Sequence, residues 1–271
     1  MHSTIDPEDK QKLALFNFIK SLNYCDRVLV HSPADLNRLK GHGLVANCTL
    51  FPHGISFHSV QQMNIAKSLG SGSKYKFNIA SYGYFLPHKG LLELIKAVRM
   101  LIDDGINVKL HMLNAEYPAE ISASAIKDAL NLIDSLSMQQ NVALDTSYSS
   151  DINSLDKLAA MDFVVYPYQS TGESASGAVR LGLASGAHVL VTPLPIFDDV
   201  SSVTFRLPGE SSEMIYKGLH EFINKYHEKD QSIINIENNS ISWRDQYQFS
   251  KLGIRLYGMI AAVVNSAEKV N

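Results

Sequence analysis

The sequence predicts an α/β chain built on a doubly wound parallel sheet with flanking helices. Two observations carry that reading. From residue 77 onward, short apolar runs alternate with longer amphipathic ones, the rhythm of strands joined by crossover helices. The runs FVVY (163–166) and VLV (189–191) are continuously apolar, as parallel strands buried on both faces must be. No internal repeat of solenoid length competes with it.

The elements follow in order. DRVLVHS (26–32) reads as a strand, and PADLNRLKGHG as a helix with Pro33 in its first turn and a glycine stop. NCTLFPHG reads as a second strand ending at Pro52, and the Gly-Ser-Gly-Ser stretch near residue 71 is the strongest loop signal. The doubly wound region then runs from about Lys74 to about Lys225. Its strands are FNIASYG, NVKLHML, NVALDTS, DFVVYPY, HVLVTP and SVTFRLP. Its helices are GLLELIKAVRMLIDDG, a segment near Ser122–Ser137, DINSLDKLAAM with Asp151 as its cap, and one after Glu173. The last helix is expected from Trp243 onward with Ser242 as its cap, and Trp243 as a packing anchor.

Composition removes several function classes. With 24 basic and 27 acidic residues the net charge is -3, which offers no electrostatic reason to bind nucleic acid or an anionic membrane. The two cysteines, Cys25 and Cys48, make neither a disulfide framework nor a metal-ligand cluster, and fit a reducing compartment. No apolar run reaches the ~18 residues of a membrane span. The stretch MHSTIDPEDKQK is acidic where a signal peptide needs basic and then apolar residues, so a cytoplasmic protein is expected.

In an open α/β sheet, ligands bind beyond the carboxyl ends of the strands, here the loops after Gly83, Leu113, Asp145, Tyr166 and Pro193. In YGYFLPHKG, Gly83 permits a tight turn and Lys89 stands beside a helix N-terminus, a combination that attracts anions. It matches neither the Walker pattern nor G-x-G-x-x-G. In DTSYSSD, Tyr148 is suited either to a planar base or to half-buried loop packing. In STGESASG, the Glu173 carboxylate either accepts from sugar hydroxyls or complements a helix dipole. The small residues after it let the next helix N-terminus approach a ligand. One cation and one acid flanking two helix N-termini suit a phosphate-linked polyol such as a sugar nucleotide. His31 and His53 end two strands and read as structural; no HExxH, paired Cys/His or G-x-S-x-G pattern occurs, so neither a metal nor a serine nucleophile is expected.

These stretches, in this order, resemble the group 1 glycosyltransferases (glycosyltransferase family 4, GT-B fold), specifically their C-terminal nucleotide-sugar-binding half. CDRVLVHSPADLNRLKGHGLVANCTLFPHGI is similar to the end of the family's N-terminal half and its interdomain link. YGYFLPHKG is similar to G-R-x-x-x-x-K-G, and ESASGAVRLGLASGAHVLVT to the E-x7-E segment. The resemblance implies a Rossmann-like donor domain over 57–240, a remnant of the acceptor-side domain over 1–56, and a returning C-terminal helix over 241–271. It implies that Lys89 meets the donor pyrophosphate and Glu173 the transferred sugar. The amides near Ser174, Ala175 and Ser176 would meet phosphate or sugar, Gly83 and Tyr84 would line the same loop, and Tyr148 and Ser149 would lie near the base.

The implied activity is metal-independent, retaining transfer of a hexose from a nucleoside-diphosphate sugar to a bacterial cell-envelope polysaccharide or glycolipid. No cofactor beyond the donor is implied. The place is the cytoplasm or the inner face of the membrane, with an N-terminal domain or a second copy completing the enzyme. Two positions depart from the pattern. The family arginine falls at Tyr84 and the second glutamate at Leu181, while the adjacent Arg180 has no acceptor atom to offer a ribose. They support the alternative of a non-catalytic module with an assembly role. A dinucleotide-dependent oxidoreductase is disfavoured, because its glycine fingerprint is missing.

Overall fold

The structure is a computed structural model that describes residues 4, 15–56, 76–171, 173 and 175–268. The glycine-serine loop signal near residue 71 lies outside them. The chain divides into two compact units, Phe57–Thr171 with Gly177–Arg244, and Met1–Ser56 with Gly172–Ser176 and Asp245–Asn271.

The larger unit is a six-stranded parallel sheet in the order β5-β4-β3-β6-β7-β8. Its strands are β3 (Phe77–Tyr84), β4 (Val108–Ala115), β5 (Val142–Asp145), β6 (Phe163–Tyr166), β7 (His188–Val191) and β8 (Phe205–Arg206). From β3 the chain winds outward through α3 (Leu91–Asp103) and α4 (Glu120–Ser135) to β5. It returns through α5 (Asp151–Ala159) to β6 and winds the other way through α6 (Gly177–Ser185). A 3-10 segment, Pro195–Val203, connects β7 to β8, and α7 (Ser212–Glu228) and α8 (Gln231–Gln246) follow.

The reversal puts a switch point between β3 and β6. Their ladder holds only Ile79↔Phe163 and Ala80↔Val164, whereas β3 runs on beside β4 as far as Tyr84↔Ala115. Beyond Ala80 the two strands no longer pair with each other, and that fork is where an open α/β sheet receives ligands.

Burial explains the register. All four β6 residues are buried, and they alternate between faces. Phe163 and Val165 join the core that Leu94, Leu101, Ile133, Leu219 and Phe222 cover. Tyr166 turns toward α6, where its hydroxyl donates to Ala178 O at 2.6 Å. A methyl group at Gly182 would come within 2.6 Å of that hydroxyl, so the glycine makes room for the tyrosine.

In the smaller unit, β1 (Val28–Val30) and β2 (Cys48–Leu50) pair in parallel across α2 (Pro33–Gly41). Ser32 caps α2 by accepting from Asp35 N at 3.1 Å, and Pro33 opens it. Val28, Val30, Leu39 and Leu44 bury together with Ile19 of α1 (Leu15–Leu22). Leu50, by contrast, is exposed. Asp35 is buried and accepts from Ser32 Oγ and Thr4 Oγ1, both at 2.5 Å. The last helix, α9 (Phe249–Glu268), is tied on at its start, where Phe249 N donates to Ile55 O at 3.1 Å.

Three expectations need correction. The last helix begins at Phe249; Ser242 and Trp243 lie inside α8, and Trp243 is buried as a packing residue. Ser150, whose Oγ accepts from Asn153 N, caps α5, and Asp151 is its first residue. Only Phe205–Arg206 of SVTFRLP pair as a strand, because Val200 and Val203 bury on the 3-10 segment instead. No helix of the described residues is long and apolar enough to cross a membrane.

Candidate functional site

The loops after β3 and β6 interlock at the fork. Gly83 has φ +127, which strongly favours glycine. Phe85 then anchors the exit by donating its N–H to Ala115 O at 2.8 Å. Pro87–Lys89 form one 3-10 turn, and Gly90 closes it at φ 65 in the left-handed region before α3 begins. A side chain at Gly90 would put its Cβ 1.8 Å from Pro167 O. Gln169 N donates to His88 O at 2.8 Å, so the two loops are joined by backbone.

Lys89 is held within this interlock. It is 9% exposed, and its Nζ lies 4.0 Å from the centroid of the Tyr168 ring. Such a contact is favourable to an ammonium, increasingly so where water is excluded. Tyr168 is itself fixed, since its ring packs on Phe197 at 5.1 Å and its carbonyl accepts from Thr192 Oγ1 at 2.8 Å. The first-turn amides of α3 follow directly, and a helix has no internal acceptor for them. Together these features concentrate positive potential at the switch point.

The other predicted residues of the larger unit lie along the same strand ends. Tyr84 is 42% exposed and meets Tyr117 edge-on at 5.2 Å. Tyr148 is 76% exposed, which decides against half-buried packing. Ser149 lies 3.4 Å from Lys157 Nζ, which also pairs with Asp145 at 2.8 Å. Lys157, helped by Ser147, holds the Asp145 carboxyl down at about 2. On β3, burial pushes the Tyr82 phenol up.

Glu173, Ala175 and Ser176 belong to the smaller unit. β6 ends at Tyr166, and Glu173 is exposed on the coil that follows. Ala175 is half-buried and Ser176 buried, while Ser174 lies outside the described residues. His31 and His53 pack with ring centroids 4.7 Å apart, and His31 Nδ1 is 3.0 Å from Phe51 O.

Sequence reasoning missed two partners. Tyr168 gave no signal beyond its place after a strand-ending proline. Arg180, the first-turn cation of α6, is buried and bonded to Asp199 of the 3-10 segment rather than turned outward. Burial raises the Asp199 carboxyl in spite of Arg180, so desolvation outweighs the ion pair there.

Three solved structures share this architecture. HepE from Anabaena, in complex with UDP, superposes with a TM-score of 0.77 at 15% identity, over 97% of this chain and 71% of its own. A glycosyltransferase from Rickettsia africae ESF-5 gives 0.72 at 12% identity, over 97% and 69%. The UDP-forming α,α-trehalose-phosphate synthase from Burkholderia xenovorans gives 0.73 at 11% identity, over 98% and 68%. The fold is Rossmann-like α/β, and these structural neighbours are glycosyltransferases of the GT-B type. The chain spans about seven-tenths of the length of each of these three proteins. No protein-family model and no curated protein matches the sequence.

Proposed function

We propose that the protein is a glycosyltransferase, and that its larger unit binds a nucleoside-diphosphate sugar at the switch point of the sheet. The observation that carries this reading is Lys89, set over Tyr168 in the loop that leads from β3 into α3. In the proposed complex Lys89 and the α3 amides meet the diphosphate and stabilise it as it departs, without a metal. Gly83 and Tyr84 line that loop, and Tyr148 and Ser149 lie toward the base. Glu173 holds the transferred hexose, and the amides of Ser174, Ala175 and Ser176 face phosphate or sugar.

HepE has been solved with UDP and with UDP-glucose, and the shared fold supports the same donor class here. The acceptor is a glycan or glycolipid of a bacterial envelope, reached in the cytoplasm or at the inner face of the membrane, with retention at the transferred carbon. A further domain or a second copy supplies the acceptor side. A second reading, a non-catalytic assembly module, draws on Tyr84 and Leu181, which stand where the resembled pattern has an arginine and a glutamate.

The test is thermal unfolding in the presence of UDP, GDP, ADP, CMP and their hexose conjugates. A ligand at a hundredfold its dissociation constant stabilises the fold by about 2.7 kcal/mol. One diphosphate is expected to raise the Tm, and Lys89→Ala is expected to remove that increment, scored against the variant's own ligand-free Tm. Protection by none of them, or an increment unchanged in Lys89→Ala, overturns the donor reading and leaves the assembly module.

A further inference from the structure

Among the described residues two cations are buried, Lys89 and Arg180, and they are held in different ways. Arg180 meets a carboxylate, Asp199. Lys89 meets a ring, its Nζ lying 4.0 Å from the centroid of Tyr168. A carboxylate partner neutralises a cation and competes with an incoming anion. An aromatic face draws an ammonium by its quadrupole and leaves the positive charge in place.

The ring is walled in. Tyr168 is 2% exposed, and its neighbours are Phe197 at 5.1 Å, Tyr166 at 6.1 Å and His88 at 6.5 Å, the last two edge-on. The peptide group that follows it is held at both atoms. Thr192 Oγ1 donates to its carbonyl at 2.8 Å, and its N–H, on Gln169, donates to His88 O at 2.8 Å. A lysine stem, by contrast, is flexible, and ordering it when an anion binds costs rotamer freedom. A stem already laid on a fixed ring has lost that freedom before the anion arrives, and such preorganisation raises affinity.

We propose that Tyr168 is a positioning residue: its ring holds the Lys89 ammonium at the fork, ready for the donor diphosphate, and it acts on the donor only through Lys89. This role rests on the donor reading above and adds to it a residue that the sequence pattern did not single out.

The test sets Tyr168→Phe, which keeps a ring face, against Tyr168→Leu, which removes it. The full chain, labelled in its amides and lysine side chains, is titrated with UDP and with inorganic pyrophosphate and followed by NMR, which reads weak affinities as well as strong ones. Tyr168→Leu is expected to weaken both ligands about tenfold, the scale of one partly desolvated cation–π contact, and Tyr168→Phe to stay within about twofold. In a Lys89→Ala background, Tyr168→Leu should cause no further loss, since its effect passes through the lysine. The Lys89 ε-methylene signal, assigned by its disappearance in Lys89→Arg, is expected upfield of the other lysines in the unsubstituted protein and in Tyr168→Phe, from the ring current of the aromatic face. That signal decides even where Tyr168→Leu does not fold.

A Lys89 signal that falls among the other lysines overturns the proposal. An equal further loss in the Lys89→Ala background also overturns it, by making Tyr168 a packing residue only. Affinity that a folded Tyr168→Leu leaves unchanged overturns it as well, with the donor reading still standing. Binding of neither ligand by the unsubstituted protein overturns the donor reading and this role with it.

Discussion

The two units obey one local rule with different outcomes. Each pairs parallel strands across a helix, with apolar strand residues and a well-marked helix start. In the larger unit six strands lie side by side, and Ile79, Val164, Val165 and Leu190 are fully buried. In the smaller unit two strands of three residues each share a small cluster around Leu39, and Leu50 stays 42% exposed. Parallel pairing is stable only where both faces are covered, and two strands have little face to cover. Sheet width, more than local sequence quality, therefore separates the two.

The sharpest way to break this contrast is one substitution made in both places. Leu94 and Leu39 are both fully buried leucines. Leu94→Ala is expected to cost about 4 kcal/mol, near the upper end for a core that cannot collapse around the cavity, and Leu39→Ala about 2 kcal/mol. Hydrogen exchange distinguishes them further. Leu39→Ala should speed exchange in β1 and β2 and leave the β3–β6 amides unchanged. Equal acceleration in both sets would mean that the units unfold together.

A second test concerns the strain that only the wide sheet holds in place. Gly90→Ala puts a side chain on a left-handed residue and drives its Cβ against Pro167 O. A loss of about 3 kcal/mol is expected, read by denaturant unfolding, from backbone strain and overpacking together. A loss under 1 kcal/mol would show that the loops after β3 and β6 are not locked.

The smallest effect is at the surface. Asp145 sits at about 2 in the folded state against an ordinary 3.8, so its ion pair with Lys157 stabilises above pH 4. That contribution fades as pH falls from about 4 toward 2. Both side chains are more than a third exposed, so the whole effect is below ~1 kcal/mol. Acid unfolding of Lys157→Met should begin with less stability at pH 6 and converge with the unsubstituted protein by pH 2. Parallel curves across that range would deny the pair any role.

Much of the fold was legible because it rests on local chemistry. Continuous apolar runs gave β6 and β7, and Pro33 gave the start of α2. The loop of Lys89 was legible for the same reason, with a glycine at each end of a short segment that carries Pro87 and Lys89. The last helix was misjudged because 243–264 is helical in pattern throughout. The break at Tyr247–Gln248 comes from pairing with Ile55, nearly two hundred residues earlier in the chain.

What the sequence determined by itself was most of the strands and helices of the larger unit, and that a lysine stands before a helix at a strand end. Side-chain periodicity and turn residues act within a few positions, so a linear reading contains them. The tertiary structure alone decided that β3 and β6 fork after Ala80, and that Tyr168 lies against the Lys89 ammonium. It alone decided that Arg180 spends its charge on Asp199. Those relations depend on which strands pair across long loops, and the free energy that selects the pairing is burial summed over the whole sheet rather than any property of the residues involved.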